Sequence, residues 1–114
     1  MSERGMVALD ESASITLDAS GGGIARIGPG RAGTRWRVTA AAVLSPGNPS
    51  PIPRVYLYKG EPAPGSHITS SYNGNQNSTD LDMPLHAGQY LSAQWIGGLA
   101  GARYTLSVFG ERSG

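Results

Sequence analysis

Apolar side chains in this chain recur at every second position, and nowhere at the three-and-four spacing of an amphipathic helix. Side chains alternate between the two faces of a strand, so such a stripe marks a strand with one buried face. Trp36, Val38, Ala40 and Ala42 form one stripe, with Arg35, Arg37 and Thr39 opposite. Leu91, Ala93 and Trp95 form a second, and Tyr104, Leu106 and Val108 a third. The alanine triplet at 40–42 could continue as helix by propensity, but no capping residue or 3.6-residue repeat accompanies it. Arg54–Lys59 is strand-forming by residue type, being β-branched and aromatic.

Glycine and proline punctuate these runs. Ser14–Asp18 and Ala25–Ile27 flank Gly21-Gly22-Gly23 and predict a hairpin. Gln89–Ile96 and Arg103–Phe109 flank Gly97–Gly101 and predict a second. Pro46–Pro53 reads as a loop, Gly60–Gly65 as a turn, Ile68–Tyr72 as a short strand and Asn73–Asp80 as a polar loop. About seven or eight short strands at this spacing predict an all-β fold, an antiparallel β-sandwich or jelly-roll. With 114 residues the chain has the length of one domain. The expected division is a flexible N-terminal arm at 1–12, a β-sandwich at 13–110 and a C-terminal tail at 111–114.

Nine basic and eight acidic residues leave no clustered positive field, so nucleic acid is not an expected partner. Charged residues make up 15% of the chain against about 25% in a typical soluble domain, which suits a protein that works through uncharged surface. The chain contains no cysteine, which excludes disulfides and thiolate metal sites. The N-terminus lacks the apolar core of a secretory signal, and no run is long enough to span a bilayer. Synthesis in the cytoplasm without a signal peptide, and no membrane partner, are the resulting expectations.

Gly28-Pro29-Gly30-Arg31-Ala32-Gly33 matches the letters of a dinucleotide fingerprint. That motif works only where a helix N-terminus follows to hold the pyrophosphate, and here a strand follows. No cofactor is expected. Asn73, Asn75, Asn77, Asp80 and Asp82 offer hard oxygen atoms of the kind calcium prefers, with Asn75, Asn77, Asp80 and Asp82 as the ligand candidates. The competing reading is an Asx-rich turn whose side chains bond their own backbone. Asn77-Ser78-Thr79 has the form of a glycosylation acceptor, which means nothing without secretion. His67 and His86 sit beside turns, and no nucleophile-elbow pattern accompanies them, so an enzyme is not expected. Tyr56, Tyr58 and Tyr90 fall out of phase with the apolar stripes and are the candidates for an exposed aromatic contact surface.

Three stretches carry a resemblance: Ile15–Pro29, Tyr72–Asp80, and Leu85–Leu91 with Trp95–Gly110. Together they resemble small β-rich virion structural proteins of actinobacterial tailed bacteriophages. The resemblance implies a virion component and carries over no catalytic residue. Its leading implication is a head decoration or minor capsid protein that binds and stabilises the major capsid shell as a homo-oligomer, with a trimer favoured. A minor tail or neck component is the first alternative. A carbohydrate-binding module for host-surface recognition, with the three tyrosines as its platform, is the second.

Overall fold

The computed structural model describes residues 7–113 and is all-β apart from one short turn of 3-10 helix. Eight strands run in order: β1 (Val7–Thr16), β2 (Gly23–Ile27), β3 (Arg35–Leu44), β4 (Arg54–Lys59), β5 (His67–Ser71), β6 (Gln76–His86), β7 (Leu91–Ile96) and β8 (Arg103–Ser113). They form two four-stranded antiparallel sheets, ordered β1-β8-β3-β6 and β2-β7-β4-β5. First pairs with last throughout: β1 with β8, β2 with β7, β3 with β6 and β4 with β5. The chain is thus one long antiparallel ribbon, bent at the β4–β5 turn and rolled so that successive pairs alternate between the sheets. That is a jelly-roll.

This topology corrects both expected hairpins. β1 and β2 belong to different sheets, as do β7 and β8. The glycine-rich segments after β1 and after β7 are crossovers, and they bond to each other. Gly98 N donates to Gly21 O at 2.9 Å, and Gly101 N donates to Leu17 O at 3.0 Å. A side chain on Gly21 would collide with the carbonyl of Gly98, 2.1 Å from where its Cβ would lie. The glycine runs therefore permit backbone-to-backbone contact between two crossovers, where a short loop closing one hairpin was expected.

The strand faces follow the stripes closely. Leu91, Ala93, Trp95, Tyr104, Leu106 and Val108 are all fully buried between the sheets. In β3 the stripe changes phase. The register with both neighbours shifts between Val38 and Ala40, so Trp36 and Val38 point inward and are followed by Ala41 and Val43, not by Ala40 and Ala42. The bulge lies beside Gly110 of β8, which pairs with Val38 at φ +155°. A Cβ on Gly110 would sit 2.0 Å from the carbonyl oxygen of Arg37.

Both ends of the domain extend past their expected limits. Val7–Ser12, assigned to a loose arm, lie in β1 and pair with Ser107–Arg112. Glu111–Ser113, assigned to a tail, pair with Arg35–Arg37. Residues 1–6 and 114 of the expected arm and tail lie outside the described residues. The polar segment Asn73–Asp80 is likewise mostly strand, since β6 begins at Gln76. Its Ser, Thr, Asn and Asp side chains gave no apolar stripe because β6 is an edge strand, and its inward residues before Leu85 are only half-buried.

Gly110→Ala should destabilise the fold by about 2 kcal/mol or more, since it adds both a clash and a disfavoured φ. Urea unfolding checks this: a lower midpoint with an unchanged slope is the expected result.

Candidate functional site

The outer faces of the two sheets differ in chemistry. Outside β1-β8-β3-β6, cross-strand rows read Ser12, Ser107, Ala42, Ser78 and then Ser14, Thr105, Leu44, Gln76. Small polar side chains dominate these two rows, and Ser14 and Thr105 hydrogen-bond each other at 2.8 Å; Leu44 is 52% exposed, and the adjoining row sets Phe109, 38% exposed, between Asp10 and Ala40. Outside β2-β7-β4-β5 the rows hold large side chains. Ile96 pairs with Arg54, Gln94 lies between Ile24 and Tyr56, and Ser92 lies between Arg26 and Tyr58. Beyond Arg54 the ring of Tyr72, 79% exposed, lies under the Arg54 guanidinium at 4.9 Å. Ile96 is 48% exposed on the same face.

The β4–β5 connection folds against the other end of this face. Arg26 Nε donates to Glu61 Oε2 at 2.7 Å, and Nη2 donates to Oε1 at 2.8 Å. The Tyr90 hydroxyl donates to the same carboxylate. The Arg26 guanidinium and the Tyr90 hydroxyl hold the Glu61 carboxyl down from its ordinary 4.5 to about 2. The Glu61 carboxylate in turn raises Tyr90. Gly60 N donates to Tyr90 O at 2.8 Å, and Ser92 Oγ donates to Gly60 O at 2.5 Å. Ser66 Oγ closes the loop on Glu61 O at 2.9 Å. This clamp stands Pro62, Ala63 and Pro64 as a wall beside Tyr56, Tyr58, His67 and Gln94, which together line a shallow recess. The His67 ring packs against both tyrosines, with centroids 6.2 Å from Tyr56 and 5.7 Å from Tyr58.

All three tyrosines singled out in the sequence share this outer face, in different states. Tyr56 is half-buried beside Gln94. Tyr58 is only 9% exposed and forms part of the recess floor. Tyr90 is tied to Glu61 and braces the loop. Sequence reasoning missed Arg54, Tyr72, Ile96, Gln94 and His67 as members of this face. Ile96 and Gln94 were legible by parity, being out of phase with Trp95. Tyr72 follows the end of β5, where alternation gives no direction.

The calcium candidates are not brought together. Asn75 is 2% exposed; its Nδ2 donates to Pro49 O at 2.9 Å, and its Oδ1 accepts from the Tyr104 hydroxyl. Asn77 faces the gap between the sheets from β6, while Asp80 and Asp82 point outward from the same strand. Asp82 is engaged by Arg37 at 3.0 and 3.3 Å. Asn73 forms the Asx turn, its Oδ1 accepting from Asn75 N at 3.2 Å and Gln76 N at 3.3 Å. Among the described residues, no group of three or more His, Asp or Glu could hold a metal ion. Gly28–Gly33 falls in the crossover from β2 to β3, with a strand on either side. His67 and His86 lie in different sheets.

Glu61, with its depressed carboxyl, adds stability in full above pH 4.5 and loses it as pH falls through about 2. Carbon NMR of its carboxylate should give a midpoint near that low value, and Arg26→Ala should return it toward 4.5. Burial pushes the Tyr104 hydroxyl up, so it remains a donor to Asn75 across the ordinary pH range. Tyr104→Phe would strand the Asn75 oxygen and should cost about 1–3 kcal/mol in denaturant unfolding.

No family model matches the chain, and no curated protein matches it. Several solved structures are similar to it. The virus-like particle of the prawn Macrobrachium rosenbergii extra small virus is similar at 10% identity and a TM-score of 0.52, over 96% of this chain and 80% of that one. The family 32 carbohydrate-binding module of C. perfringens NanJ, in complex with galactose, is similar at 11% identity and a TM-score of 0.47, over 91% of this chain and 98% of that one. A family 16 carbohydrate-binding module is similar at 8% identity and a TM-score of 0.37, over 86% and 73%.

Proposed function

We propose that this chain is a structural protein of a bacteriophage virion, a head decoration or minor capsid protein that docks on the major capsid shell and acts by contact alone. The observation that carries this reading is the contrast between its two outer faces. One gathers Ile24, Ile96, Tyr72 over Arg54, and Tyr56; the other carries small serine, threonine and alanine side chains along its middle, with Leu44 and Phe109 two rows apart and charged residues beyond them. A protein that docks by one face needs aromatic and aliphatic anchors there, with few charges to desolvate. The jelly-roll supplies that face on a rigid sheet. The sequence resemblance to phage virion proteins and the fold shared with the prawn-virus particle support the same reading.

The protein is made in the host cytoplasm and works in the virion. A homo-oligomer, with a trimer favoured, would repeat the face about a local symmetry axis of the shell. Truncating residues 1–12 is no clean probe of docking, because it removes more than half of β1 and its pairing with β8.

Tyr72→Asp and Ile96→Asp should each weaken occupancy of purified heads about tenfold, equivalent to roughly 1.4 kcal/mol. Ser12→Asp and Ser107→Asp on the opposite face should leave occupancy unchanged. Equal losses from both faces, or density at the neck or tail in a virion reconstruction, would sink the head assignment.

A further inference from the structure

We propose that the recess formed by Tyr56, Tyr58, His67 and Gln94 under the Pro62–Pro64 wall binds a neutral saccharide. This goes beyond the docking role and does not depend on it: of the side chains named for docking only Tyr56 also lines the recess, while Ile24, Arg54, Tyr72 and Ile96 lie outside it.

Four features of the recess point to that ligand. It is a shallow, open recess of about 490 Å³, which leaves room for a sugar ring lying flat. Its floor and wall are rings and prolines, an apolar surface on which the C–H face of a sugar can lie against the negative face of an aromatic ring. Its polar groups can both give and accept hydrogen bonds, as an array of hydroxyls requires. The Gln94 amide stands directly across from Tyr56, with the Tyr58 hydroxyl 3.4 Å from its oxygen and the exposed His67 imidazole on the adjoining strand. Finally, no Asp, Glu, Lys or Arg lines the recess, and the nearest ion pair, Arg26 with Glu61, is satisfied internally. An uncharged site suits an uncharged ligand.

The wall is also in place before any ligand arrives. Ser66 N and Oγ both donate to Ala63 O, at 3.1 and 3.2 Å, while the Arg26–Glu61–Tyr90 clamp holds the loop's first turn. A preformed wall lowers the entropy lost on binding. An extended peptide is the weaker fit. β4 is paired on both sides, by β5 and β7, so a peptide lying over the tyrosines finds no backbone to pair with; the free edge of this sheet belongs to β5, beyond His67.

The test is NMR titration of the nitrogen-15-labelled full chain with maltotetraose, cellotetraose and chitotetraose. Tetragalacturonate serves as the anionic comparator, and a peptide of the sequence Ser45–Pro53 as the proline-rich comparator. At least one neutral tetrasaccharide should give saturable shifts centred on Tyr56, His67 and Gln94, with a dissociation constant on the order of 1 mM. Tyr56→Ala and Gln94→Leu should each weaken it at least about tenfold, and Tyr72→Ala should not. Gln94→Leu keeps the side chain's bulk, so it reads hydrogen bonding even if the tyrosine variant perturbs the sheet. The proposal is overturned if no neutral tetrasaccharide saturates, if tetragalacturonate or the peptide binds these residues more tightly, or if Gln94→Leu leaves sugar binding intact.

Discussion

Trp95 and Tyr104 meet between the sheets with ring centroids 5.3 Å apart, and each sends its polar tip to the same short segment. Trp95 Nε1 donates to Gly74 O at 3.1 Å, and the Tyr104 hydroxyl donates to Asn75 Oδ1. That segment also bonds the proline-rich β3–β4 connection, through Gly74 N to Pro53 O, Asn75 Nδ2 to Pro49 O, and Ser45 N to Asn75 O. One aromatic pair thus joins the two sheets and two connections. It does so without leaving a buried polar group unpaired, a fault that would cost more than the hydrogen bonds themselves contribute. Gly74 has no room for a side chain there, since a Cβ would lie 2.7 Å from Pro53 O and 3.0 Å from the Trp95 ring.

With both inner faces committed to that core, the chain has only outer faces, edges and ends with which to act. The edges bear carboxylates: Asp10 and Glu11 on β1, Asp80 and Asp82 on β6. Glu11 and Asp82 are paired with Arg112 and Arg37, and Asp10 and Asp80 leave like charge at both edges of this sheet, which disfavours edge-to-edge growth. The two faces then differ in grouping, with large side chains gathered outside β2-β7-β4-β5 and Leu44 and Phe109 two rows apart among small and charged ones outside the other sheet. On the larger face the open aromatic end around Tyr72 and the walled recess around Tyr56 are separate features. A broad contact and a small-ligand site can therefore coexist on one sheet.

Alternation alone located most of the core, because Leu91, Trp95, Leu106 and Val108 each carry their direction in their parity. It placed Tyr56, Tyr58 and Tyr90 outside the core for the same reason. Parity fails where the backbone breaks register. The bulge at Thr39 turned Ala41 inward in place of Ala40, and nothing in an alanine triplet marks where a bulge falls. It also fails on β6, an edge strand whose polar residues line the open flank and leave no stripe.

Strand identity and burial are local consequences of side-chain period, and the sequence by itself determined them: an all-β chain, two sheets and a core of Trp, Tyr, Leu and Val. Pairing is not local. A glycine run between two strands reads the same whether it closes a hairpin or carries the chain across to the other sheet. Only the rolled ribbon, with β1 against β8 and β2 against β7, decided that both glycine runs here are crossovers. The recess depends on the same long-range pairing, since Gln94 reaches Tyr56 only because β7 lies beside β4. Its wall is held in part by Arg26, from β2, which grips a loop 35 residues further along the chain.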